Sequence, residues 1–162
     1  NRLSLNLEFQ HTQKIERVIQ NIGDITVRSN LTDYNFKVSE TILNNQSDIL
    51  KKLNNTNTSF YSSSRGVDEC NIVVSDNLTS LIEENFGGEL LIKKTEKLSA
   101  ISFKLPSENV SVPGIYYYVF QKLSWDGINI SQVISTSNEF TILVSEDEVD
   151  NAFSVINKLK NI

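Results

Sequence analysis

The chain has 162 residues, 39% of them hydrophobic and 22% charged, with six Gly, two Pro and a single Cys. That supplies enough apolar surface for a packed core, so a disordered chain is excluded and the length fits one large domain or two small ones. Lys and Arg number 15 against 20 Asp and Glu, and the net charge of −5 excludes a polyanion as main partner, because phosphate contacts need a basic face.

The longest apolar run, Ile115–Phe120, is too short to span a bilayer, so no membrane partner is expected. Cys70 alone excludes an intrachain disulfide framework and suits a reducing, cytoplasmic setting. The chain starts at Asn1 and contains no Met, so a longer parent protein is expected.

Leu3, Leu5, Leu7 and Phe9 alternate with polar residues, the period of a half-buried strand, which predicts a strand over 3–9. Ile15, Val18, Ile19 and Ile22 then recur at i, i+3, i+4 and i+7 ahead of Gly23, predicting an amphipathic helix over 11–22. A strand begins at Ile25-Thr26-Val27, is interrupted by Asn30 and Asp33, and resumes over 34–38. A helix over 46–54 follows, with Ile49, Leu50 and Leu53 on one face. Strands near 58–64 and 69–74, a helix near 77–86, the Gly87-Gly88 break and a strand near 89–95 complete the first half.

Ala100–Leu105 is a further strand, closed by Pro106. Val112-Pro113-Gly114 opens a helix carrying Tyr116–Leu123, and Gly127 ends it, the Pro-before and Gly-after asymmetry of helix termini. Strands are predicted over 128–135 and 140–144. Ser145 and Glu148 have the spacing of a capping box that starts a last helix, whose apolar face is Val149, Ala152, Phe153, Ile156 and Leu159.

The order of elements repeats, and so do residues. Leu53 meets Leu123 and Ile72-Val73-Val74-Ser75 meets Ile142-Leu143-Val144-Ser145 at an offset of 70, while Phe36-Lys37-Val38 meets Phe103-Lys104-Leu105 at 67. Three blocks in one order with one small gap indicate two copies of a β-α-β-β-α-β unit, an α+β, ferredoxin-like plan. The chain divides into a 1–32 leader, a 33–98 unit and a 99–162 unit. The second copy ends without a final strand, and the strand at 25–29 is the candidate to complete it, since Asn21-Ile22-Gly23-Asp24 matches Asn85-Phe86-Gly87-Gly88. The two antiparallel sheets would then interlock or lie side by side.

In the second copy, Val112-Pro113-Gly114-Ile115, then Gly127-Ile128-Asn129-Ile130, Ile134-Ser135-Thr136-Ser137, Phe140–Val144 and the acidic stretch Glu146–Asp150 resemble the ACT regulatory domain. The likeness is to the paired ACT units at the C-terminus of aspartokinases, and it extends weakly over 34–98. It implies sheets paired side by side in a homodimer and a small effector, usually an amino acid, bound at the interface. The residues matching ligand contacts are Val112, Pro113, Gly114, Ile115 and Asn129, with Ser111 and Ser131 beside them. The chemistry is apt: a Pro-Gly turn presents free backbone N–H groups at a helix start to a carboxylate, and Asn129 offers both a donor and an acceptor. The first copy reads Ile42-Leu43-Asn44-Asn45-Gln46 at that place, so its site is expected to be lost. A β-branched residue at Gly114 is expected to abolish binding and leave the fold intact.

Blander readings stand beside these. Pro113-Gly114 also suits a plain turn, and Glu146–Asp150 complements a helix dipole, so no metal is expected there. Tyr116, Tyr117 and Tyr118 cannot all face one core, since successive helical residues turn by 100°. Cys70 aligns with Phe140 and is expected to be a buried strand residue. His11 is the single histidine and no nucleophile or phosphate-loop motif occurs, so neither catalysis nor a cofactor is expected. The function expected is an amino-acid-binding regulatory module that acts on a linked domain or subunit. The alternatives are a ligand-independent dimerisation module, or the sensor of a transcription regulator whose DNA-binding helix-turn-helix precedes this chain.

Overall fold

In the computed structural model, residues 2–53, 59–107 and 111–161 are described, with side chains from residue 10 onward. In chain order the elements are α1 (Arg2–Gln20), β1 (Ile25–Lys37), α2 (Ile42–Leu53), β2 (Tyr61–Arg65), β3 (Glu69–Ser75), α3 (Thr79–Asn85), β4 (Leu91–Lys104), α4 (Ile115–Trp125), β5 (Gln132–Ser135), β6 (Glu139–Ser145) and α5 (Val149–Lys160). Short 3-10 turns, Asp76–Leu78 and Glu146–Glu148, lead into α3 and α5. The predicted helix end at 54 and strand start at 58 lie outside the described residues.

Two compact units form, one from 29–98 and the other from 1–28 with 99–162. Strand order is β2-β3-β1-β4 in the first and β5-β6-β4-β1 in the second, the same ferredoxin-like order twice. Each pairing is antiparallel where its register is resolved: Tyr34 faces Ile72, Ser63 faces Ile72 from the other side, and Val133 faces Ile142. β1 and β4 each pass from one unit into the other, so residues 25–28 of β1 belong with the end of β4, β5 and β6.

Four sequence expectations are corrected. Residues 3–9 are not a strand but the start of α1. Between Arg2 and His11 there is no β-branched residue, Gly or Pro, while Leu, Glu and Gln favour helix, so nothing halts the helix set by Ile15, Val18, Ile19 and Ile22. The interrupted strands 25–27 and 34–38 are one strand, as are 89–95 and 100–105. The chain absorbs the break in a single left-handed residue in each, Asn30 (φ 59°) and Lys97 (φ 56°), which stand 67 apart like the surrounding repeat. Asp33 stays in the strand because its carboxylate accepts a short hydrogen bond from the Asn71 amide on β3. Burial raises its pKa, only partly offset by Asn71 and by the charge of Lys93.

The capping box is the third correction. Ser145 makes no side-chain cap, and the Glu148 carboxylate accepts instead from the Asn129 backbone N–H at 3.2 Å. The repeat explains this: residues 146–148 form the same 3-10 turn as 76–78, which displaces the start of α5 to Val149. The strand expected over 128–135 is likewise limited to Gln132–Ser135.

Each unit has its own core. In the 29–98 unit Tyr34, Phe36, Ile42, Ile49, Cys70 and Ile82 are buried under α2 and α3. Cys70 is fully buried and free. In the other, Ile15 and Ile19 of α1 join Val119 and Leu123 of α4, Ile156 of α5, and Phe103 and Phe140 from the sheet. Of the three tyrosines on α4, Tyr117 is the most exposed, at 67%. Tyr116 stacks on Phe140 and Tyr118 bonds Glu16 of α1 at 3.5 Å.

Tyr34 gives a pH prediction. Burial, with the neighbouring Glu83 that its hydroxyl bonds at 3.0 Å, raises its pKa to about 12. A tyrosine pKa raised on folding gives stability that is complete below the unfolded value of about 10 and is lost as pH rises through 12. Urea melts between pH 9 and 12 should therefore show a falling stability whose slope is reduced in Tyr34→Phe; an identical slope in both proteins would rule this assignment out.

Candidate functional site

The turn before α4 is built by its two special residues. Pro113 fixes the approach of the chain, and Gly114 takes a left-handed backbone (φ 90°, ψ 1°) that begins the helix. The Gly114 carbonyl accepts from the Tyr118 N–H at 2.9 Å. Gly114 at the N-cap position has no side chain of its own to cap the helix. The helix dipole favours an anion at the first-turn N–H groups.

Glycine is required here for a second reason. A Cβ on Gly114 would stand 3.2 Å from Ile15 Cδ1 and 3.6 Å from His11 Nε2, so α1 lies directly against the turn. Ile15 is anchored in the same core as Ile115. From the sequence, 11–22 is a helix of the leader with no link to the site. Its Ile15–Ile22 stripe signalled only that it packs somewhere.

The other predicted residues fall into two groups. Val112 packs against the core and Ile115 is buried within it, which leaves Ile115 only its backbone N–H to offer a ligand. Ser111, Pro113, Asn129 and Ser131 are exposed. The Ser131 N–H is spent on the Leu143 carbonyl at 2.8 Å, and the Asn129 N–H on Glu148 at 3.2 Å. Ile128 and Ile130, on either side of Asn129, join the core that holds Ile115 and Val112. Both halves of the motif are thus fixed on one unit, but among the described residues no hydrogen bond links Pro113 or Gly114 to Asn129.

The 29–98 unit lacks this turn. At the offset of 70 that sets Ile49 on Val119 and Leu53 on Leu123, Pro113 and Gly114 correspond to Leu43 and Asn44, which lie inside α2. With no left-handed residue to stop it, the helix gains about one turn at its start and begins at Ile42.

A second feature was missed from the sequence. Asp24, Thr26, Ser102, Phe103, Lys104 and Glu139 line an open cleft of about 280 Å³. Asp24, Lys104 and Glu139 carry both signs of charge, and among the described residues none is ion-paired. These residues come from β4, β6 and the start of β1 with Asp24 just before it, far apart in the chain, so no local motif marks them. Among the described residues no cluster of His, Cys, Asp and Glu could hold a metal ion, and no helix is long and apolar enough to cross a membrane.

No family profile and no curated protein matches the chain. Solved structures do. The aspartate kinase of Clostridium acetobutylicum is 18% identical over 83% of this chain with a TM-score of 0.66, and the chain spans 34% of that enzyme's length. The ligand-free regulatory subunit of aspartate kinase from Thermus thermophilus is 10% identical, with 83% of this chain and 95% of that subunit covered and a TM-score of 0.64. E. coli aspartokinase III, solved with lysine and aspartate, is 15% identical over 87% of this chain and 33% of its own, with a TM-score of 0.60. The fold is the tandem ACT arrangement of aspartokinase regulatory regions.

Proposed function

We propose that this chain is a regulatory module that binds a small effector with a carboxylate, an amino acid, at the Pro113–Gly114 turn and acts on a linked domain or subunit. The Pro113–Gly114 turn at the start of α4 carries this reading, because a helix start offers backbone N–H groups and the positive end of the helix dipole to a carboxylate. Asn129 supplies the polar group for the rest of the ligand. α1 supplies the output, since Ile15 and His11 touch the turn and any movement of Gly114 reaches them first. The E. coli enzyme solved with two amino acids supports the ligand class. Pairing in a cytoplasmic homodimer is part of the same proposal. The exposed apolar start of β4, where Leu90, Leu91 and Ile92 are 63%, 45% and 51% accessible, favours such a contact.

The test is a thermal-shift screen of the twenty amino acids at millimolar concentration, with the molar mass read by light scattering. A ligand at a hundred times its Kd stabilises by about 2.7 kcal/mol, a rise of roughly 5–10 °C for a chain of this size. A dimer that forms with no amino acid shifting the melting temperature would favour the pure dimerisation reading instead.

A further inference from the structure

A carboxylate of the chain itself occupies the start of α2. Glu89, two residues ahead of β4, accepts from Thr41 Oγ1 at 2.6 Å and from the Asn45 side-chain amide at 2.7 Å on one oxygen. Its other oxygen accepts from Ser39 Oγ at 2.5 Å. Ser39 Oγ in turn accepts from the Ile42 N–H at 3.1 Å, so the hydroxyl relays the carboxylate's charge to the helix backbone. We infer that Glu89 is a built-in occupant of the α2 start, a latch that holds the 29–98 unit in one ligand-independent state.

The chemistry of the latch is that of a bound anion. Three side-chain donors converge on two oxygens at the positive end of a 12-residue helix, and the carboxylate comes from the chain itself, 44 to 50 residues away in sequence. Asn45 stands in the register of Ile115 of the other unit. Glu89 also stands at the head of β4, so its bonds fasten the start of a sheet strand to the start of a helix. Both oxygens of Glu89 are engaged, each by side-chain donors of this chain.

The experiment compares the full chain with Glu89→Ala in thermal melts, in chloride and in acetate at matched ionic strength. Loss of three charge-assisted hydrogen bonds is expected to lower the Tm by about 5 °C. Acetate at about 100 mM should restore roughly half of that in the variant and leave the wild type within about 1 °C, the ligand linkage expected of a vacated site. Adding Asn45→Ala to Glu89→Ala should abolish the acetate effect and lower the Tm less than the two single losses summed. If Glu89→Ala does not fold, Glu89→Gln replaces it, with a smaller fall because the amide keeps an acceptor and loses the charge. A Tm for Glu89→Ala or Glu89→Gln equal to wild type, or an acetate effect no greater than that of chloride, overturns the latch. The amino-acid screen probes the α4 turn in unaltered protein, so its failure and the failure of this test are separate results.

Discussion

Gly114→Val should lower the melting temperature by about 4–20 °C and remove any amino-acid response. Two costs add. A β-branched residue at φ 90° meets its own carbonyl, at about 1–2 kcal/mol. Its Cβ also enters the 3.2 Å gap to Ile15 Cδ1, and because Ile15 is held in the core, relief requires α1 or the turn to move, at about 1–3 kcal/mol. The expectation drawn from the motif, that such a variant binds nothing but folds intact, is therefore revised: the same glycine serves ligand access and helix packing. Two other glycines provide the scale. Gly127 is left-handed at φ 72° with open space around it, so Gly127→Ala should show the backbone cost alone. Gly88 has ordinary φ and no neighbour within 4 Å, so Gly88→Ala should be close to neutral. If chemical denaturation ranks Gly114→Val no lower than Gly127→Ala, α1 does not press on the turn.

Phe140→Ala is expected to cost about 3–5 kcal/mol, the largest effect of any single substitution considered, because the deletion leaves a cavity that its neighbours cannot close. Phe140 is 1% exposed, and its ring meets Tyr116 at 5.0 Å, Phe103 at 5.3 Å and Phe120 at 5.8 Å between centroids. Tyr116 and Phe120 are on α4 and Phe103 is on β4, so this one ring joins the helix that starts at the candidate site to the sheet beneath. Phe140→Ala should also expose Tyr116 and weaken any ligand shift at the turn, while Phe140→Leu keeps most of both. A urea melt showing a loss under about 1 kcal/mol would mean that α4 is held by α1 and α5 alone. In the 29–98 unit Cys70 stands at the same place in the repeat, and the volume is filled by Phe36 stacked on Phe86 at 4.8 Å.

Much of the fold was legible because it depends on local pattern. The 70-residue offset places Ile72–Ser75 on Ile142–Ser145, and both stretches are strands followed by the same 3-10 turn. The Pro-Gly start and Gly127 end of α4 were readable for the same reason: each rests on the backbone preferences of one or two residues. Where period alone was the guide, it failed. Leu3, Leu5, Leu7 and Phe9 alternate like a strand, yet no residue between them and Ile15 ends one element and begins another, and helix propagates through. Asn30 reads as a strand breaker and nothing in the sequence marks Lys97, yet a single left-handed residue costs little beside the pairing on either side.

The sequence by itself determined a duplicated βαββαβ plan, a glycine that must start α4, and a likeness to paired ACT units. These follow from periodicity, from conformations only Gly accepts easily, and from the spacing of identical residues. Only the tertiary structure decided which groups surround the two helix starts. It brought His11 and Ile15 against Gly114 across about a hundred residues of chain, spent Glu148 on Asn129 instead of on a cap, and set Glu89 on Ser39, Thr41 and Asn45. The physical reason is that each of these contacts joins residues far apart in the chain, and packing of the whole unit, not anything in the local sequence, fixes which distant group arrives.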